Sequence, residues 1–518
     1  MSAQLKPADG LRHVASLDAV PHDRGLLIEC GDAKILLVRA GEAVRAYGAE
    51  CPHAGAPLNE GAVCNGRIIC PWHKAAFAVE TGGMVEPPAL HALTRYDVNM
   101  QDNEVFLGAK LPAPENRQSG SAGLALVIGG GAAGAAAAAA LREFGYAGRV
   151  ILAGNEPGPP YDRTALSKFV IAGQMQAGDV PPLLEDKFYT DHAVERIDGN
   201  VSELDIPGHR ATFADGSTLL FDTALIATGA TPNRADLPGA NLQGVHVLRS
   251  RADAAAILEG LQAGMRAVIL GSSFIGLEAA CGLRAQQLHV AVVSPESVPF
   301  AGQFGEELGG VLRDLHLANG VQFYLGTRAA SLQGDDRVSA VVLQDGTTLP
   351  ADIVLVAMGV KPATDYIRGV ACETDGGLAV DAGMRLADGV YAAGDIACFP
   401  LPHGAGAARI EHWRVAQQQA RIAARNMAGG NAAYEGVPFF WTYHYGKRWE
   451  YLGHAADWDN VVIDGNARQH NFVALLCSRG TVKAAISCGR ERVTALLIEA
   501  MRAPLTAVDA LKICAAPV

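Results

Sequence analysis

Residues Leu124 to Gly134 read LALVIGGGAAG, and the rest of the chain is organised around them. Five apolar residues run into Gly129-Gly130-Gly131-Ala132-Ala133-Gly134, which fits G-x-G-x-x-G, and an alanine-rich run follows. The pattern predicts a buried parallel strand, a tight turn and the start of a helix. Gly129 would allow the turn, Gly131 would let the backbone approach a pyrophosphate, and Gly134 would let the helix lie close to the sheet. The phosphate charge would rest at the helix N-terminus. Two readings compete, a ligand-free glycine-rich turn and a membrane span. No charged residue occurs from Ser119 to Leu141, and Gly130 to Gly134 also fits G-x-x-x-G. Alanine and glycine insert poorly into a bilayer, however. Context decides for a dinucleotide site. A second strand is predicted at Arg149 to Ala153, and Glu156 stands 22 residues after Gly134, the usual place for an acid that binds a ribose hydroxyl.

A chain of 518 residues, 49% apolar and 19% charged, is expected to hold three or four domains with ample core. Its net charge of −12, with no basic stripe, argues against nucleic acid as a partner. The opening MSAQLKPADGLRH has no apolar core of a secretory signal, and no strongly apolar span suggests a membrane helix. Ten scattered cysteines fit the thiols of a cytoplasmic protein better than a disulfide framework. None forms C-x-x-C or C-x4-C, which argues against a dithiol disulfide reductase.

Residues 24–108 alternate as short strands with turns between them: GLLIE, KILLVRA, AVRAYGA, RIICP, AAFAV, TRYDVNM and EVFLG. Within this all-β stretch lie Cys51-Pro52-His53 and Cys70-Pro71-Trp72-His73, with 16 residues between His53 and Cys70. Each loop offers one thiolate and one imidazole. Such a set can hold a [2Fe–2S] cluster or, as Cys2His2, a structural zinc. The mixed ligand types within each loop favour the cluster, because zinc fingers pair like with like. His13, His22 and His91 have no partner at ligand spacing and read as ordinary histidines.

These residues closely resemble the Rieske pattern C-x-H…C-x-x-H. The resemblance implies Cys51 and Cys70 on one iron and His53 and His73 on the other. High-potential Rieske proteins add a disulfide whose cysteines would fall near Ala56 and at Trp72; neither is cysteine, so the ferredoxin type is implied. Lys74 stands where relatives usually have glycine. A cation there would raise the cluster potential; a solvated loop lysine would not.

From Ala109 to Gly123 the chain reads AKLPAPENRQSGSAG, a linker that either lets the β domain swing or is packed down. Beyond Glu156 come Tyr161-Asp162-Arg163 and Leu166-Ser167-Lys168. With the glycine motif they resemble the flavoprotein reductases of the pyridine-nucleotide-disulfide type, used by oxygenase ferredoxin reductases and apoptosis-inducing factor. The resemblance implies that Arg163 contacts the FAD pyrophosphate and that Lys168 reaches the flavin ring; otherwise both are surface cations. The ATG segment ending at Gly229 and the Gly394-Asp395 pair resemble the family's further FAD motifs, with Asp395 on the ribityl chain. Trp413, in Glu411-His412-Trp413, would lie by the isoalloxazine or else be a core aromatic.

Between these segments a second strand–glycine–helix unit appears. Arg266 to Leu270 leads into Gly271-Ser272-Ser273-Phe274-Ile275-Gly276, with the small Ser273 at the middle glycine position. One dinucleotide fold inserted in another is the family's layout, with FAD in one and NAD(P)H in the other. Glu296, 20 residues past Gly276, is suited to a ribose hydroxyl. No Lys or Arg occurs from Ala285 to Leu312 to meet a 2′-phosphate, so NADH is expected over NADPH. The family places a glutamate like Glu278 beside the lysine assigned as Lys168, and Gly359 falls in a turn like its A-x-G-x-x-P. Cys281 reads as a small core residue rather than a redox group. Near the end, FFWTYHYGKRWEYLG, Phe439 to Gly453, reads as strand. Tyr443, His444, Lys447 and Arg448 suit an interface or core hairpin better than a nucleic-acid patch. Helices are expected at Val493 to Met501 and Leu505 to Ile513.

The expected fold is multidomain. An all-β Rieske domain spans 1–108 and a linker 109–123. An α/β FAD-binding domain spans 124–244 and 366–433, with an α/β NAD(P)H-binding domain, 245–365, inserted in it. An α+β C-terminal reductase or interface domain spans 434–518. The resemblance implies a reductase that takes a hydride from NADH into FAD and passes single electrons to the cluster, then to an oxygenase, ferredoxin or small molecule. Two alternatives stand beside it: a redox-responsive binding protein, and a ferredoxin reductase whose Rieske domain only docks a partner. The acceptor, and whether the chain pairs as a homodimer, are left open.

Overall fold

The computed structural model describes residues 11–112, 123–404 and 406–515. Most of the expected linker, residues 113–122, lies outside the described residues. The first hundred residues are all β. A six-stranded antiparallel sheet runs in the order Arg12–Ser16, Glu104–Lys110, Arg95–Gln101, Ala43–Gly48, Ala33–Ala40, Leu26–Cys30. A four-stranded sheet of short strands, Ala62–Cys64, Arg67–Ile69, Ala76–Ala78 and Met84–Glu86, carries the second thiol–imidazole loop between its middle strands.

The glycine motif sits where its apolar run predicts. Leu124–Ile128 is a central strand of a six-stranded sheet, flanked in parallel by Arg149–Gly154 and Thr223–Ile226. The next strand, Val390–Ala392, arrives from far along the chain and pairs in parallel with Thr223–Ile226. The intervening segment builds its own parallel sheet, ordered Val245–His246, Ile353–Val356, Arg266–Leu270, His289–Ser294, Val321–Leu325. The alanine-rich run is the helix Ala132–Glu143, buried along most of its length. Its small side chains let it pack against the helix Trp413–Met427 within one core. The membrane-span reading dissolves into this strand and helix, and among the described residues no helix is long and apolar enough to cross a membrane.

The last part is a five-stranded antiparallel sheet, Phe439–His444, Lys447–Gly453, Thr481–Cys488, Asn471–Ser478, Asn460–Asn466, with the helices Glu491–Ala500 and Ala507–Ala515. The N-terminal β unit packs on it. Ala62, Ile69 and Ala76 share an apolar cluster with Phe439, Leu452 and Val493. Polar groups reinforce the contact. Arg414, at the start of the long helix, donates to the carbonyls of Lys74, Pro87 and Val437. Glu86 receives Gln418 at 2.6 Å and Arg502 at 2.9 Å.

Lys74 is not a solvated loop lysine: it is fully buried, a cation beside Cys70 and His73 that is paired, with its Nζ 2.9 Å from Glu450 Oε1 in the C-terminal sheet. Its φ of +58° explains why glycine suits this position.

Candidate functional site

Two tight loops bring Cys51, His53, Cys70 and His73 together. Backbone bonds close them, Cys51 N to Ala56 O and Cys70 N to Ala75 O, each 2.8 Å. The two thiols hydrogen-bond to each other, and the N–H groups of His53 and Ala54 point at Cys51 while those of Trp72 and His73 point at Cys70. The imidazole Nδ1 atoms of His53 and His73 are 3.0 Å apart. Burial holds both imidazoles below their ordinary pKa, hence neutral. A buried pair of sulfurs ringed by N–H donors beside a pair of neutral imidazole nitrogens is the donor set that a Rieske cluster requires.

A cavity of about 750 Å³ opens at the C-terminal edge of the first parallel sheet. Gly129 and Gly131 line it at the strand–helix turn. A Cβ on Gly129 would fall 2.2 Å from Ala227 O, and one on Gly134 1.9 Å from Gly129 O, so these two glycines are needed for packing. A Cβ on Gly131 would meet no atom of the described residues within 4 Å and would project into open space at the helix N-terminus. That space suits a pyrophosphate. Glu156 and Arg163 both line the cavity and pair with each other, and Tyr161 donates to Glu156 at 2.6 Å. Gly229, Gly394 and Asp395 line it from other turns, with Asp395 3.3 Å from Arg249. Trp413 and His412 line it too, each with a buried ring nitrogen that has no partner among the described residues. At the far wall Lys168 Nζ lies 3.0 Å from Glu278 Oε1. Thr442 also donates to that oxygen, at 2.7 Å.

The second glycine turn borders a cavity of about 520 Å³ lined by Gly271, Ser273, Glu296 and Gly359. Gly276 does not line it; a Cβ there would fall 2.5 Å from Gly271 O, so its role is close packing. Ser273 caps the helix by accepting from Gly276 N and donates to Ala357 O at 2.9 Å. Glu296 accepts from Ser272 at 2.9 Å. Phe274 borders both cavities. Arg328, from beyond the cation-free stretch Ala285 to Leu312, lines the same cavity as Glu296.

Sequence reasoning gave Trp441 no role. Its ring lies 4.1 Å from that of His73, centroid to centroid, and it also lines the larger cavity, with Lys168 Nζ 5.7 Å from its centroid. One side chain therefore touches a thiol–imidazole loop and the flavin-sized cavity. The only signal for it was an aromatic run, which says nothing about what each ring faces.

The pyridine nucleotide-disulphide oxidoreductase family matches residues 125–420, and the Rieske [2Fe-2S] domain matches residues 11–97. Apoptosis-inducing factor 3 of Mus musculus is 32% identical over 494 residues, covering 92% of this chain and 81% of that protein. The biphenyl dioxygenase system ferredoxin–NAD(+) reductase component of Paraburkholderia xenovorans (strain LB400) is 36% identical over 371 residues, 71% of this chain and 90% of that one. A solved structure, the ferredoxin reductase for the CYP199A2 system from Rhodopseudomonas palustris, superposes with a TM-score of 0.71 at 30% identity, covering 76% of this chain and all of that one. With the glycine turns, the acidic and basic cavity walls and the Cys2His2 loops in place, the chain belongs to the pyridine nucleotide-disulphide oxidoreductase family, an NAD(P)H oxidoreductase with FAD and NAD(H) as cofactors and a Rieske [2Fe–2S] domain ahead of its reductase domains.

Proposed function

We propose that this chain draws a hydride from NADH and hands the electrons singly to its own Rieske cluster, and from there to an external acceptor. FAD, when bound, supplies the exchange between two-electron and one-electron chemistry. Cys51, Cys70, His53 and His73 would hold the cluster. Gly131 and Arg163 would bind the FAD pyrophosphate, Glu156 a ribose hydroxyl, Asp395 the ribityl chain, and Trp413 would pack the ring. Lys168 and Glu278 would set the charge where the nicotinamide arrives, with Glu296 holding the coenzyme ribose. The observation that carries the internal route is Trp441, in contact with His73 and with the cavity at once. An acceptor of the oxygenase or ferredoxin kind is supported by the relatives' names.

Anaerobic addition of NADH should bleach the flavin absorbance and then bring up the EPR signal of the reduced cluster. In Trp441→Ala the flavin should bleach at the wild-type rate while the cluster signal lags. A cluster that stays oxidised beside bleached flavin in the wild type would overturn the internal route and favour a Rieske domain that only docks a partner. Equal cluster rates in the two proteins would remove Trp441 from it.

A further inference from the structure

Outside both cavities, three side chains meet where the helices Phe274–Ala285 and Ala301–Ala318 cross the strand Phe439–His444. Cys281 Sγ lies 3.6 Å from His444 Nδ1 and 3.9 Å from His316 Nε2, and those two nitrogens are 3.2 Å apart. Both histidines are completely buried, while the cysteine is half-buried and gives a path inward. We propose that Cys281, His316 and His444 hold a zinc ion.

The spacing is the first argument. Tetrahedral zinc, with bonds of about 2.3 Å to sulfur and 2.0–2.1 Å to nitrogen, places its ligand atoms about 3.3 Å apart for two nitrogens and about 3.6 Å for sulfur and nitrogen. The three separations here depart from those values by about 0.3 Å at most.

The tautomer of His444 is the second. Thr442 has a single hydroxyl proton and gives it to Glu278 Oε1, an oxygen that can only accept. The Thr442 oxygen must therefore accept from His444 Nε2, 2.9 Å away. Nε2 then carries the ring proton, and Nδ1 presents a bare lone pair to Cys281 and His316. A carboxylate that orients a histidine through its far nitrogen, here by way of one hydroxyl, is the outer support that metal-bound imidazoles have. Among the described residues no further His, Cys, Asp or Glu joins the cluster. The fourth position falls to water or to the phenol of Tyr445, which lies against the Cys281 thiol.

The site ties two helices of the coenzyme-side unit to the C-terminal sheet, from positions 35 and 163 residues away from Cys281. Through Thr442 and Glu278 it also fixes the wall of the larger cavity beside Lys168. Its role is that of a structural tie, and its existence does not depend on the electron route proposed above.

Metal analysis of the purified holoprotein, with cluster iron as the internal count, should find about one zinc per chain. Zinc K-edge absorption should show one sulfur at about 2.3 Å and nitrogen ligands at about 2.0–2.1 Å. Cys281→Ala should lose the zinc and keep the iron. Protein isolated without zinc should take up one equivalent of added Zn²⁺ and retain it through gel filtration. The assignment is overturned by wild-type protein that retains no added zinc, by retained zinc with no sulfur in its shell, or by a folded Cys281→Ala with wild-type zinc content. Should that variant fail to fold, the wild-type absorption spectrum decides alone.

Discussion

Removing the Lys74 charge should loosen the Rieske domain from the reductase without moving the cluster potential. Lys74 and Glu450 are 0% and 2% exposed and 2.9 Å apart. At an effective dielectric near 20 their attraction is about 6 kcal/mol. Desolvation of each ion costs several kcal/mol, so the intact pair contributes little net stability, yet deleting one partner strands the other and costs about 3–5 kcal/mol. Lys74→Met and Glu450→Gln should each lower the urea concentration at which the visible CD of the cluster is lost. The double variant should be no worse than either single one, because no ion is then left unpaired. Lys74→Gly should cost roughly 1 kcal/mol less than Lys74→Met, since glycine relieves the left-handed backbone. The potential follows from the same pair. Burial pushes the Glu450 carboxyl up and Lys74 draws it back down. Without Lys74, burial and the nearby Glu491 charge outweigh the hydrogen bond from Thr494, Glu450 takes up a proton, and the two opposite charges vanish together. A potentiometric titration should therefore find the midpoint unmoved. Additive single losses would show that the charges are not coupled. A shift in midpoint beyond about 60 mV, a tenfold change for a one-electron couple, would show that Lys74 acts on the cluster as a free cation.

Gly131→Ala should leave the apoprotein's thermal midpoint unchanged but abolish FAD retention on gel filtration, since its Cβ meets only open space. Gly134→Ala, whose Cβ would strike Gly129 O at 1.9 Å, should instead reduce soluble folded protein. Glu296→Ala should raise the KM for NADH about 10- to 100-fold, the loss of one charge-assisted hydrogen bond, and Arg328→Ala should weaken NADPH more than NADH in steady-state assays. His412 is held down from its ordinary 6.5 to about 3 by burial. Its contribution to stability is whole above pH 6.5 and is lost as the pH falls toward 3; at pH 5 the loss reaches about 2 kcal/mol. The urea midpoint of apoprotein should accordingly fall faster below pH 6.5 in the wild type than in His412→Gln.

The parts of the site carried by short contiguous motifs were legible because local geometry fixes them. A thiol and an imidazole within one loop of a few residues have few ways to point, and a strand entering G-x-G-x-x-G must turn at Gly129. Groups set by the register of distant elements were not legible. Trp441 faces His73 only because the β unit docks on the strand Phe439–His444. Arg328 reaches the Glu296 cavity from the segment after Val321–Leu325, and Glu450 meets Lys74 across 376 residues.

The docked geometry also bears on how electrons would travel in the proposed reading. A reductase serving a separate ferredoxin relies on collision, so its rate scales with partner concentration and falls as salt screens the encounter. Here the β unit rests on an apolar cluster and on ion pairs that are largely buried. Between about 0.01 and 1 M salt the Debye length falls from about 30 to about 3 Å, but buried pairs are screened far less than exposed ones. Reduction of the cluster after mixing with NADH should therefore be first order, unchanged on dilution of the protein and nearly flat across that salt range. Transfer from the cluster to an added acceptor should show the opposite, a bimolecular rate that responds to salt. A cluster reduction rate proportional to protein concentration would mean that the electrons reach it from another molecule, and the contact through Trp441 would then be structural only.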